Sequence, residues 1–254
     1  MHSDHSLLNE DTLKDTQVTI STDRVQDIAS ATSVEMKRFG VPVDQYKSVK
    51  WAMIIAVVLN WMQQGSGINA IMYYSSTILE DAGITTDKGK WLGTTAIMVA
   101  NFVSVFPALF AIDKAGRKKL MLISGSICVV TSVLVSIAII MNESNGNPFW
   151  SNSSIVLLVL FVMGFEIGLG PIPWTVIAET SPLRYRGTIL SVATFMNWTG
   201  NLLIAQCSAA VMSSPLKLFP FAIATSLGMV FIMLCIPETN GKTVAEIQKA
   251  LSNI

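Results

Sequence analysis

Residues 51–79 read WAMIIAVVLNWMQQGSGINAIMYYSSTIL, a run without one charged side chain. A hydrocarbon core of about 30 Å is crossed by roughly 20 helical residues, so this run is long enough to span a bilayer with a turn to spare. Its middle is interrupted by Gly65-Ser66-Gly67, beside the paired amides Gln63 and Gln64. Five further apolar runs follow near 91–112, 119–141, 154–178, 187–212 and 218–236, each bounded by polar or turn residues. The composition agrees: of 254 residues 51% are hydrophobic and 13% charged, and the mean hydropathy is +0.53. An ordinary soluble domain carries about 25% charged residues. The expected fold is therefore an all-α integral membrane bundle of six transmembrane helices, with the lipid bilayer as its solvent.

The chain divides into a polar tail over 1–50, the spanning bundle over 51–236 and a polar carboxyl-terminal tail over 237–254. The first tail is rich in Ser, Thr, Asp and Lys and lacks the apolar core of a signal peptide. It reads as a solvated arm, with at most a short surface helix near Val34–Tyr46. Six spans put both ends on one side. Of the 17 basic residues only Lys88, Lys90 and Lys217 fall on the other side, which places both termini in the cytosol by the positive-inside rule. Two acceptor sequons, at Asn142 and Asn152, then lie in an outer loop, while a third at Asn197 lies inside a span. The balance of 17 basic against 17 acidic residues gives no reason to expect nucleic acid as a partner.

Polar side chains inside the spans carry the functional argument. Gln63, Gln64, Asn101, Glu166 and Asn197 come from four different runs at similar depth. An unpaired polar group in hydrocarbon costs several kcal/mol, so these side chains must face the bundle interior or a wet cavity. Interhelical hydrogen bonding would account for any one of them. Their common depth points instead to a pathway, and amides that both donate and accept suit a neutral ligand rich in hydroxyls. Glu166 is the one charge deep in an apolar run, a functional residue or a structural partner.

The fourth run is broken by Gly168-Leu-Gly170-Pro171-Ile-Pro173, as the first is by its glycines. Helices one and four head two triplets, the arrangement expected when two inverted three-helix repeats enclose a midplane site. Cys128, Cys207 and Cys235 sit in separate spans without metal-type spacing. With no phosphate loop, metal box or nucleophile constellation in view, neither an enzyme nor a cofactor is expected.

Several motifs now coincide. The stretch from Gln63 to Tyr74 resembles the seventh helix of facilitative glucose transporters and related sugar porters of the major facilitator superfamily; Asp113-Lys-Ala-Gly-Arg117-Lys resembles the loop after their eighth. Glu166 to Trp174 resembles the tenth, followed by Ala178-Glu179 and the Arg184/Arg186 loop; Asn197-Trp198 resembles the eleventh, and Pro237-Glu-Thr-Asn-Gly-Lys-Thr243 the ending signature. The resemblance covers about residues 50–250 and implies the carboxyl-terminal half of such a transporter. It departs from the usual pattern at Gly65, Lys114, Leu169 and Asn240.

What the resemblance implies is specific. Gln63, Gln64, Asn69, Asn101, Glu166, Trp174, Asn197 and Trp198 would line a hexose site. Tyr73, Tyr74, Gly170, Pro171 and Pro173 would gate it. Asp113, Arg117, Glu179, Arg184 and Arg186 would form a cytosolic latch between two halves. The expected function is hexose transport by alternating access in the plasma membrane, with a missing amino-terminal half or a second copy as partner. A non-transporting sugar sensor and an inactive partial product are the alternatives.

Overall fold

The computed structural model describes residues 45–213 and 217–252. The expectations for the first tail lie outside the described residues as far as residue 44. From there the chain is helical. It runs through α1 (Gln45–Gly65), α2 (Ile68–Asp81), α3 (Asp87–Ala115), α4 (Arg117–Asn145), α5 (Pro148–Ile167), α6 (Ile172–Thr180), a 3-10 turn (Leu183–Tyr185), α7 (Arg186–Ser213), α8 (Phe219–Cys235) and α9 (Val244–Ser252), with no strand among the described residues.

The first run is split into α1 and α2, and the fourth into α5 and α6, where the sequence places its glycines and prolines. Four segments, 87–112, 117–144, 148–180 and 183–211, are long and apolar enough to cross a membrane. At 17 residues α8 is shorter, and the first run reaches across only as α1 plus α2. The protein is a multi-pass membrane protein.

Local chemistry explains the ends. Thr86 caps α3 by accepting from the Gly89 N–H, and Asn147 caps α5 by accepting from Phe149, with Pro148 in the first turn where its missing N–H is not needed. The α1–α2 corner needs Gly67, whose φ of +86° is left-handed; a Cβ there would also stand 2.6 Å from the Phe221 ring.

Packing centres on α4, which lies against α5 and α8, while α1 lies against α7 and α3 against α5. Gly164 of α5 lets Ile127 of α4 approach its backbone, as small residues do between membrane helices. Phe161, Ile55, Leu59, Ile71, Met121 and Leu158 fill the interior. The segments containing α3 and α7 share least in it: only 17% of the most apolar window of each is buried.

Outside the spans two features are more ordered than the word tail suggests. Residues 244–252 form α9, whose Ile247 and Leu251 are buried as it packs on α1 and α6. Thr243 and Glu246 form a reciprocal capping box: the Glu246 carboxylate accepts from the Thr243 N–H at 2.8 Å, and Thr243 Oγ1 accepts from the Glu246 N–H. The Thr243 N–H and hydroxyl, both donating to it, hold the Glu246 carboxyl below its ordinary value.

At the opposite end, Lys217 is a buried ammonium joined to Asp81 and Glu143, each at 3.1 Å, so one cation ties together the ends of α2 and α4 and the start of α8. Burial pulls its pKa down, but the hydrogen bonds and charges of Glu143 and Asp81 outweigh this and hold it above the usual lysine value.

Candidate functional site

The two broken runs meet at Gln63. Lying in the last turn of α1, it donates from Nε2 to the carbonyls of Leu169 at 3.0 Å and Gly170 at 2.7 Å, which the α5–α6 break leaves without helical partners. Its Oε1 accepts from Asn197 Nδ2 of α7 at 2.7 Å. Only 7% of Gln63 is exposed. Ser124 of α4 serves the same break from behind: its hydroxyl donates to the Gly164 carbonyl at 2.6 Å and accepts from the Leu169 N–H at 2.9 Å. Gly168 makes this approach possible, because a Cβ there would stand 2.6 Å from the Leu120 carbonyl oxygen and from the Ser124 Cβ. Buried backbone groups are thus paired at a place where two helices stop.

Around this junction lies a cleft of about 440 Å³, within the usual range for small-molecule sites. Its walls include Gln63, Gln64, Asn69, Asn101, Glu166, Gly170 and Pro171. Two further pairs orient the polar wall. Asn69 Nδ2 donates to Gln64 Oε1 at 2.6 Å, and Asn101 Nδ2 donates to Glu166 Oε1 at 2.8 Å.

An amide has two N–H donors and one acceptor oxygen. Both Gln63 donors are already spent, whereas the amide nitrogen of Gln64 and the carbonyl oxygens of Asn69 and Asn101 have no partner among the described residues. So does the second oxygen of Glu166. The cleft therefore presents acceptors from three elements and a donor from a fourth, with Ile68, Met72 and Phe165 as apolar surface between them. Sequence reasoning missed these three, because an Ile, Met or Phe in a membrane span carries no signal of its own.

The aromatic expectations fare differently. Trp174 is half-buried and packs against the core from α6, while Trp198 is 66% exposed; neither is among the residues that line the cleft. Tyr73 donates to Asn201 Oδ1 at 3.2 Å and Tyr74 to the Ala205 carbonyl at 3.0 Å, so both tie α2 to α7. Asn201 had not been singled out. Gly170 and Pro171 line the cleft, and Pro173 is buried in the first turn of α6.

Of the charged residues expected to latch two halves, Arg117 and Glu179 form an ion pair with each other at 3.2 Å, joining the start of α4 to α6. The Asp113 side chain lies outside the described residues. Arg184 is exposed, its guanidinium 5.6 Å from the Tyr185 ring centre. Arg186 is half-buried, with its Nε unpartnered. Glu238, quoted only as part of the ending motif, organises the corner: its carboxylate accepts from the backbone N–H groups of Arg117, Lys118, Thr239 and Asn240. Asn240 in turn accepts from Arg117 Nη1.

Residues 3–251 match the family model described as "Sugar (and other) transporter". The chain is 36% identical over 202 residues to the solute carrier family 2 facilitated glucose transporter member 2 of Sus scrofa, covering 79% of this chain and 38% of that protein. It is 34% identical over 207 residues to the facilitated trehalose transporter Tret1 of Bombyx mori, covering 80% and 40%. The chain thus spans about two fifths of the length of these relatives.

Among solved structures, a double-tryptophan mutant of XylE superposes with a TM-score of 0.72 at 23% identity, covering 92% of this chain and 49% of that one. The inward-open xylose transporter XylE from E. coli gives 0.67 at 23%, covering 91% and 46%. The fold is that of one half of a major facilitator bundle, and with the family model matched along nearly all of its length the chain belongs to the sugar transporter family.

Proposed function

We propose that this chain is the carboxyl-terminal, substrate-holding half of a hexose transporter that works by alternating access. The observation that carries the reading is the cleft at the junction of two broken helices, where Gln64, Asn69, Asn101 and Glu166 present free donors and acceptors at one level. A hexose offers alternating hydroxyls that such a set can pair, and discontinuous helices are where secondary transporters hold substrate. Gln63 and Asn197 hold the wall, Tyr73 and Tyr74 govern the approach between α2 and α7, and Arg117 with Glu179 brace the cytosolic end. Six spans put both termini in the cytosol, and the membrane is the plasma membrane. The tail over 1–50, the bundle over 51–236 and the closing segment over 237–254 are the units of this scheme.

Alternating access needs a second bundle to rock against. The exposed flanks of α3 and α7 support a partner bundle there, either an amino-terminal half or a second copy. The test is calorimetry with glucose on the purified chain, together with counterflow of labelled glucose in liposomes. Millimolar binding, about −4 kcal/mol, is expected. No heat at tens of millimolar glucose with the fold intact would overturn the sugar reading, and binding without counterflow by the chain alone would support the need for a second bundle.

A further inference from the structure

A second concavity lies away from the sugar cleft. It is a groove of about 400 Å³ between α4 and α8, lined by Lys118, Lys119, Leu122, Ile123, Ser126, Met229, Met233 and Glu238. Its floor is apolar and opens on a lipid-facing surface, for Ile123, Val230, Met233 and Leu234 are all exposed on these two membrane helices. Gly125 lets the Met229 side chain lie against α4: a Cβ there would stand 2.9 Å from it.

The charges at its rim do not cancel. Glu238 is engaged by four backbone N–H groups. Lys118 donates one hydrogen bond to the Met233 carbonyl at 2.8 Å, which fixes its ammonium at the mouth and leaves two donors. Lys119 is exposed and has no ion-pair partner among the described residues. An apolar trough ending in two cations matches one amphiphile of opposite charge, and basic pockets between membrane helices take anionic head groups.

We propose that this groove seats an anionic glycerophospholipid. Its phosphate lies between Lys118 and Lys119, and one acyl chain follows Leu122, Ile123, Met229 and Met233. The occupant bridges α4 and α8 beside the corner held by Glu238, and so couples lipid composition to the cytosolic end of the bundle.

Native mass spectrometry on the detergent-purified chain tests this, titrating phosphatidylglycerol against phosphatidylcholine with the same acyl chains. Phosphatidylglycerol should bind the more tightly, and Lys119→Gln should weaken it about fivefold, with little effect on phosphatidylcholine. Lys242→Gln, outside the groove, should leave both unchanged. Ser126→Phe, which fills the trough but keeps both lysines, should abolish the preference. Equal binding of the two lipids, equal losses from Lys119→Gln and Lys242→Gln, full retention in Ser126→Phe, or displacement by inorganic phosphate alone would each overturn the assignment.

Discussion

Replacing Gln63 by Leu removes three hydrogen bonds at once: two to the carbonyls of Leu169 and Gly170 and one from Asn197. Interhelical hydrogen bonds in membrane proteins average about 0.6 kcal/mol, so the direct loss is about 2 kcal/mol. A buried acceptor left without any partner would add about 1–3 kcal/mol. Water in the open cleft can reach the Gly170 carbonyl, but the Leu169 carbonyl is buried and is left unpaired, so the total rises to about 3–5 kcal/mol. Gln64→Leu is the informative contrast. It removes one bond, from Asn69, but also the amide nitrogen left free for a ligand. Unfolding by denaturing detergent in mixed micelles should therefore show Gln63→Leu destabilised by about 3–5 kcal/mol and Gln64→Leu by about 0.6 kcal/mol. Glucose affinity should move the other way, with Gln64→Leu the more damaged once each variant is compared at equal folded fraction. Equal stability of the two variants, or intact sugar binding in Gln64→Leu, would refute the division of labour between the two glutamines.

Other substitutions test the remaining supports. Gly168→Ala places a Cβ 2.6 Å from the Leu120 carbonyl oxygen and should cost about 1–3 kcal/mol in the same unfolding assay; an unchanged midpoint would mean the α4–α5 approach is looser than described. Because the folded Glu246 carboxyl is held below its ordinary value, its cap contributes fully above the unfolded pKa of about 4.3 and is lost as pH falls through the folded value. The protection factors of the α9 amides, taken against the intrinsic exchange rate at each pH, should hold from neutral pH down to about that value and fall below it, and Thr243→Ala should lower them throughout. Lys217 has the opposite sign: held above the ordinary lysine value, its contribution is complete below about 10.4 and disappears as pH rises through the folded pKa. Thermal stability should decline in that alkaline window, and Lys217→Met should remove the decline.

How much of this was legible depended on the kind of signal. Runs of apolar residues and the Gly and Pro interruptions are local, so the helical fold and the breaks after Gly65 and Ile167 could be read directly. The polar wall was legible because amides in hydrocarbon must find partners, and Gln63, Gln64, Asn69, Asn101 and Glu166 do meet. Which partner each finds was not. Ser124 looks like any other serine of its span until α5 is laid against it, and the burden on Gln63 comes from two carbonyls that have no letter in the sequence. Trp198 lies off the cleft lining, since neighbours on a helix point about 100° apart and Asn197 occupies the inward direction. Glu238 was visible as a motif but not as a cap, because two of the four N–H groups it serves, those of Arg117 and Lys118, come from the distant start of α4.

The spans containing α3 and α7 bury the same small fraction of their most apolar windows but are not chemically alike. The span containing α7 has a hydropathy of 1.2, against 2.0 for that of α3 and 2.4 for the two better-buried spans. On α7, Thr188, Ser191, Thr194 and Gln206 are exposed. In lipid those groups would lack partners beyond their own helix, whereas α3 shows Phe102, Phe106, Leu109 and Phe110, which lipid solvates well. When the chain is alone in a membrane, α7 is therefore the flank that should be covered by a second copy. Cys207 reports on this, since it is exposed on α7 while Cys128 is buried and Cys235 only partly accessible. Mild oxidation in liposomes should give a covalent dimer that Cys207→Ser abolishes and that persists when Cys235 is replaced. Rapid maleimide labelling of Cys207 in a chain that sediments as a monomer would show that α7 tolerates lipid, and that its polar residues are held by their own helix.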